Sequence, residues 1–132
     1  MTRVLVCGSR DFNDEKMMYE ELDKILDNGD GDEYELVSGH TKGADILSEK
    51  YAKDRHIRIK VFPVDWKRYG KVSGIKRNKD MLDYVSQENP VVVAFWDGNS
   101  TGTKNTIDTA RKTGIEPIVI FYNKSSWYCC LP

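Results

Sequence analysis

The sequence predicts an α/β fold, a Rossmann-like three-layer sandwich around a parallel sheet of about five strands. Three observations lead there. Five short β-branched or aromatic runs alternate along the chain with four amphipathic stretches of helical period. Crossovers of that length oblige neighbouring strands to run parallel and to wind right-handed. The first, fourth and fifth runs are nearly continuously apolar, as strands are when helices cover both faces of their sheet. For strands of this kind the expected spatial order is 3-2-1-4-5.

The strands are expected at Arg3–Cys7, Tyr34–Ser38, Ile57–Phe62, Val91–Phe95 and Pro117–Tyr122. The first helix carries Met18, Leu22, Ile25 and Leu26 on one face, behind Asn13 or Asp14 as a cap and before the stop signal Asn28-Gly29. The second has the stripe Ala44, Leu47, Ser48, Tyr51 and Ala52. The third has Ile75, Asn78, Leu82 and Val85, with Met81 and Tyr84 beside them. The fourth, Thr103, Ile107, Ala110 and Gly114, is narrow and small-sided, suited to close packing on a sheet. No repeat, low-complexity tract or linker interrupts the series, so one domain is expected over residues 1–122, with a C-terminal tail at 123–132.

Composition excludes several classes. The 132 residues are 39% hydrophobic and 31% charged, which fits a globular chain. No apolar run approaches the ~20 residues of a membrane span, and the N-terminus is interrupted too soon for a signal peptide. Cys7 reads as a small core residue, and Cys129 and Cys130 have no partner at metal spacing. His40 and His56 add no zinc pattern. No metal, cofactor or disulfide scaffold is expected, and a reducing cytoplasm fits.

Twenty basic residues nearly cancel twenty-one acidic ones, which argues against a general nucleic-acid coat. The charges are nevertheless segregated. Phe12 to Glu35 holds ten carboxylates and two lysines, whereas Lys53 to Lys79 holds ten Lys/Arg and two aspartates. Either these are two solvated helical faces of opposite sign, or the basic third faces an anionic ligand.

Ligands of open parallel sheets bind beyond the carboxyl ends of the strands, so the turns that follow strands are informative. After the first strand comes Gly8-Ser9-Arg10-Asp11-Phe12. After the second comes Ser38-Gly39-His40-Thr41-Lys42-Gly43-Ala44-Asp45, and after the fourth Trp96-Asp97-Gly98-Asn99-Ser100-Thr101-Gly102-Thr103. Each leads into a helix N-terminus, where free N–H groups and the helix dipole attract phosphate. Arg10 and Lys42 add charge. Neither a Walker A loop nor GxGxxG is present. Any one such turn is most simply a tight connection; three at one edge point to anion binding.

The loop after the third strand, Pro63 to Gly70, offers Trp66 and Tyr69. These either stack on a base or clamp the loop to the body. Arg77 and Asn78 follow on a basic helix, and Arg77 matters only if its face turns toward the ligand edge. Four carboxylates, Asp11, Asp45, Asp65 and Asp97, sit near that edge. Asp45 and Asp97 read as turn caps or ribose contacts ahead of catalytic groups.

In this order the segments resemble the SLOG superfamily of Rossmann-like nucleotide-ligand proteins, in its YspA/YpsA-related branch. The resemblance is carried by Val6 to Phe12, Ser38-Gly39, Lys42 to Asp45, Pro63 to Trp66, Tyr69 to Lys71, Gly74, Arg77-Asn78, Met81-Leu82, Ala94 to Gly98, Ser100, Gly102 and Thr103. It implies a nucleotide-derived ligand held by Gly8, Ser9, Arg10, Gly39, Lys42, Gly43 and Asp45 on one side. Trp66, Arg77, Asn78, Asp97, Gly98, Ser100, Thr101, Gly102 and Thr103 complete the expected set, and no catalytic residue is assigned. Relatives include enzymes that release base from nucleoside monophosphates, DprA-like DNA-processing proteins, and sensors of NAD-derived signals. The enzymes follow their glycine-rich turn with a glutamate; here Lys104, Asn105 and Thr106 stand in its neighbourhood.

The resemblance therefore implies a protein that binds an ADP-ribose-like or other NAD-derived nucleotide as sensor or sequestering agent. A phosphoribohydrolase and a DprA-like single-stranded DNA binder are the alternatives; nucleic acid and membrane are not the expected partners. The resemblance also implies a homo-oligomer, and Trp127, Tyr128 and Leu131 add an apolar hint in the tail.

Overall fold

The computed structural model describes residues 1–26 and 33–122. Five strands form one all-parallel sheet: β1 (Thr2–Gly8), β2 (Tyr34–Ser38), β3 (Arg58–Val61), β4 (Asn89–Trp96) and β5 (Ile118–Phe121). Their order is β3-β2-β1-β4-β5, as expected from the sequence. The helices are α1 (Glu15–Ile25), α2 (Ala44–Asp54), α3 (Trp66–Tyr69), α4 (Ser73–Ser86) and α5 (Thr101–Lys112).

Alternation along the central strands builds two cores. Val4 and Val6 of β1, Leu36 of β2, and Val93 and Phe95 of β4 face α1 and α2, where they meet Met18, Leu22, Ala44 and Tyr51. Leu5, Val37 and Val92 point the other way, onto Met81, Leu82 and Val85 of α4 and Ala110 of α5. Cys7 and Ala94 meet Ile107 of α5 on that same side. In register, Val4 pairs with Val91 and Leu36, and Gly8 with Phe95, so β1 and β4 end level with each other. α1 is capped by Asp14, whose Oδ1 accepts the N–H of Met17 at 3.0 Å.

Four features differ from the sequence expectation. Between β3 and α4 the chain forms the short α3 and a 3₁₀ turn, Gly70–Val72, in place of a plain loop. Asp65 Oδ1 accepts the N–H of Arg68 and starts α3. Ile75 is 59% exposed and stands off the packed stripe; the buried residues of α4 are Ser73, Asn78, Met81, Leu82 and Val85. Gly114 lies beyond the end of α5 with φ +94, a chain-reversing residue rather than a packing one. β5 is an edge strand whose Ile118 and Phe121 are exposed among the described residues, so its apolar run does not mark two-sided cover.

Part of the segregated charge is used within the fold. Arg55, the C-cap of α2, makes two hydrogen bonds to Asp23 of α1, at 3.0 and 2.9 Å, and Lys50 pairs with Glu15. The guanidinium of Arg55 and the hydroxyl of Tyr51 hold the Asp23 carboxyl below its ordinary range. The Asn28-Gly29 stop signal, Cys129, Cys130 and the tail aromatics lie outside the described residues. Among the described residues no helix is long and apolar enough to cross a membrane.

Candidate functional site

β1 is the strand at which the winding reverses. The chain crosses from β1 outward to β2 and β3 on one side, then returns to β4 and β5 on the other. The connections leaving β1 and β4 therefore diverge and open a crevice at their carboxyl ends. The structure has a cleft of about 1250 Å³ there. Its walls come from five segments: the turns after β1, β2, β3 and β4, and the N-terminal half of α4.

Most of the sequence-derived set lines this cleft. Gly8, Ser9 and Arg10 come from the first turn, Gly39, Lys42 and Asp45 from the second, Arg77 and Asn78 from α4, and Asp97 and Ser100 to Thr103 from the fourth-strand turn and α5. Ser100 caps α5, its Oγ facing the Thr103 N–H at 3.5 Å, and the first residues of the helix line the cleft. Arg10 and Lys42 are exposed at the rim. Ser9 is buried; its Oγ makes no hydrogen bond of good geometry among the described residues, although the Tyr122 hydroxyl is near enough to feel it.

Arg77 faces the switch point. Its Nη1 donates to the carbonyls of Gly39 at 2.8 Å and Phe62 at 3.4 Å, and its Nε donates to Asn78 Oδ1 at 3.0 Å. The two N–H groups on Nη2 make no hydrogen bond among the described residues. Burial pushes the guanidinium below its ordinary pKa, against the pull of the Asp45 carboxylate. A Cβ on Gly39 would fall under 3.0 Å from this guanidinium, so the β2 turn approaches Arg77 this closely only through glycine.

Two expected ligand residues, Gly43 and Gly98, do not line the cleft. Gly43 stands behind the cleft wall with φ +91, and a Cβ there would come 2.5 Å from the carbonyl oxygens of both Ser9 and Arg10. Its geometry is explained by the packing of the β2 turn against the β1 turn. Gly98 turns the chain beside the rim and is not a lining residue. Trp66 opens α3, and its side chain lies outside the described part of the structure. Tyr69 is not a lining residue of the cleft, and Lys76 Nζ lies 5.6 Å from its ring centroid.

The carboxylates at this edge are engaged. Asp45 is 5% exposed, and its Oδ2 accepts from Thr41 N at 3.2 Å and Thr41 Oγ1 at 2.6 Å. Burial raises its pKa, opposed by those hydrogen bonds and by Arg77. Asp97 Oδ1 accepts the N–H groups of Asn99 and Ser100, both at 2.8 Å. Asp11 accepts from the Tyr122 hydroxyl at 2.7 Å. In the neighbourhood where the sequence lacks a glutamate, Asn105 lines the cleft and accepts from Asn78 Nδ2 at 3.2 Å.

Further lining residues fall outside the sequence-derived set. Pro63, Val64 and Ile75 form an apolar wall opposite the polar turns. Cys7 lies at the floor, where burial pushes its thiol up and keeps it protonated. His40 and Thr41 complete the β2 side. Pro63, Val64 and Ile75 carry no turn or charge signal of their own in the sequence. No group of three or more His, Cys, Asp or Glu that would hold a metal occurs among the described residues.

Fold and site together define a Rossmann-like α/β protein with a glycine-bearing cleft at the switch point of its sheet, lined by Arg10, Lys42 and Arg77 and by Asp11, Asp45 and Asp97. Within that class the chain belongs to the YAcAr family, the YspA, cpYpsA-related SLOG family, which matches residues 2–69, just over half of it. Membership supports nucleotide-ligand binding in general. A solved structure of the DNA processing protein A (DprA) from Streptococcus pneumoniae matches with a TM-score of 0.50 and 14% identity. The match covers 100% of this chain and 62% of that one, and it shows a likeness of fold. Comparison with curated proteins gave no match.

Proposed function

We propose that this protein binds a nucleotide-derived small molecule, of ADP-ribose-like or NAD-derived type, and acts as a sensor or sequestering agent. The observation that carries the reading is convergence. Turns from three strands and Arg77 from α4 meet in one cleft, with the rim cations Arg10 and Lys42 beside the first turn of α5. Phosphates are complementary to the helix N-terminus and the cations, and the apolar wall of Pro63, Val64 and Ile75 suits a planar base.

The carboxylates favour binding over turnover. N-glycosidic cleavage needs an acid or base free to act at the sugar, whereas Asp45 and Asp97 hold turns and Asp11 holds Tyr122. Mass spectrometry of small molecules carried through purification, followed by calorimetry and chromatography with ADP-ribose, NAD, AMP and CMP, tests the reading. Tight binding with return of intact ligand is expected. Released base would turn the reading into a hydrolase, and absence of binding across the panel would overturn it. The same reading takes the protein as a cytoplasmic homo-oligomer, from the resemblance and the cysteine content; light scattering on the purified chain tests the assembly.

A further inference from the structure

His40 follows Gly39 at the end of β2 and holds φ +59, a left-handed conformation uncommon outside glycine. Its N–H donates to Ser38 Oγ at 3.1 Å. Its ring Nδ1 lies 2.9 Å from both carboxylate oxygens of Glu49, and Glu49 also accepts from Ser38 Oγ at 2.8 Å. The Glu49 side chain is 14% exposed and the imidazole 55% exposed. Packing therefore does little to explain the conformation, since more than half of the ring meets solvent and Ser38 would hold Glu49 without it. A carboxylate on Nδ1 fixes the ring's orientation and leaves Nε2 as the atom available to the cleft that His40 lines.

We propose that His40 is a ligand-contacting residue, oriented by Glu49, whose proton sets the affinity of the cleft for a phosphate-bearing ligand. This rests on the nucleotide-binding reading and adds to it a residue and a dependence on acidity. Other charges face the same space: Asp45 from α2, Lys42 from the same turn, Arg77 from α4, Arg10 and Asp11 from the β1 turn, and Asp97 from the β4 turn, while Glu49 of α2 lies against His40 itself. Asp45 has a raised pKa and also gains protons as pH falls, so the test retains it.

The probe is ADP-ribose, whose diphosphate carries no group titrating near neutrality. Calorimetry at constant ionic strength would compare about pH 6 with about pH 8, a span over which histidine side chains exchange a proton. The wild-type protein should bind about five- to tenfold more tightly at the lower pH, as a charge-assisted hydrogen bond forms. It should also take up a fraction of a proton near pH 7, read from buffers of differing ionisation enthalpy. His40→Asn, chosen because asparagine tolerates left-handed backbone, should lose both the ratio and the proton uptake. A wild-type ratio near one, or a ratio and uptake that survive in His40→Asn, overturns the role of His40 while binding at either pH leaves the nucleotide reading standing. No binding at either pH overturns both.

Discussion

Replacing Arg77 with Met keeps an unbranched stem on α4 and removes the guanidinium. The turn after β2 would lose its tie to α4, because the Gly39 carbonyl loses a charged donor at 2.8 Å. A hydrogen bond to a charged group contributes about 1.5–3 kcal/mol. The 3.4 Å contact to Phe62 adds little, while the Nε contact to Asn78 adds a smaller increment. Relief of guanidinium burial offsets part of this, so a net loss of about 2 kcal/mol is expected. Asp45 would also lose a cation that lowers its pKa. Urea denaturation followed by circular dichroism reads the stability through the midpoint at constant slope. Calorimetry with ADP-ribose reads the second effect, a loss of tenfold or more in affinity, ~1.4 kcal/mol, from the missing Nη2 donors. A variant with unchanged midpoint and unchanged affinity would refute the reasoning, because Arg77 would then be neither a strut nor a ligand contact.

Arg10→Ala should separate the two effects: Arg10 is exposed, so affinity for ADP-ribose should fall about tenfold with the urea midpoint unchanged. Gly43→Ala places a Cβ 2.5 Å from two carbonyl oxygens at φ +91 and should cost about 2–4 kcal/mol of stability, measured by the same denaturation. Asp45→Asn tests the buried carboxyl. Its folded pKa is raised, so its contribution is most favourable below the unfolded value near ~3.9 and is lost as pH rises through the folded value. The variant should therefore show a smaller fall in relative stability than wild type over that rise, as read by thermal denaturation across pH; parallel profiles would refute it.

Most of the fold was legible because burial leaves its period in the residues. Val4 and Val6 against Leu5 and Cys7 give β1 two covered faces, and the helical lengths between runs leave parallel pairing as the simple solution. The same reasoning over-read the cover of β5, where Ile118 and Phe121 are exposed among the described residues, although the expected order 3-2-1-4-5 already set that strand at the edge. A run of residues encodes hydrophobicity, while its neighbours are set by topology.

The site was legible as a set of turns and obscure in its division of labour. Gly39 and Gly43 look alike in sequence, yet one lines the cleft beneath Arg77 and the other lets two turns touch. Small size permits any close approach, and only the fold says what approaches. His40 went unassigned because its partner Glu49 lies nine residues on, across a turn and along α2. The available signal was Asp45 and Glu49 at i, i+4 on that helix, which puts both carboxylates on the face nearest the turn.

The position of the crevice follows from the route of the chain. Because β1 and β4 are adjacent while their onward connections leave in opposite directions, a gap between those connections persists whatever side chains decorate it. Reprogramming of ligand preference should therefore be cheap in evolution and in the laboratory: exchanging rim residues such as Arg10, Lys42 or Ile75 alters what is recognised without disturbing the receptacle. The turns held by Gly39 and Gly43 lack that freedom, so diversity should gather on the lip and be scarce at the hinge of the two turns.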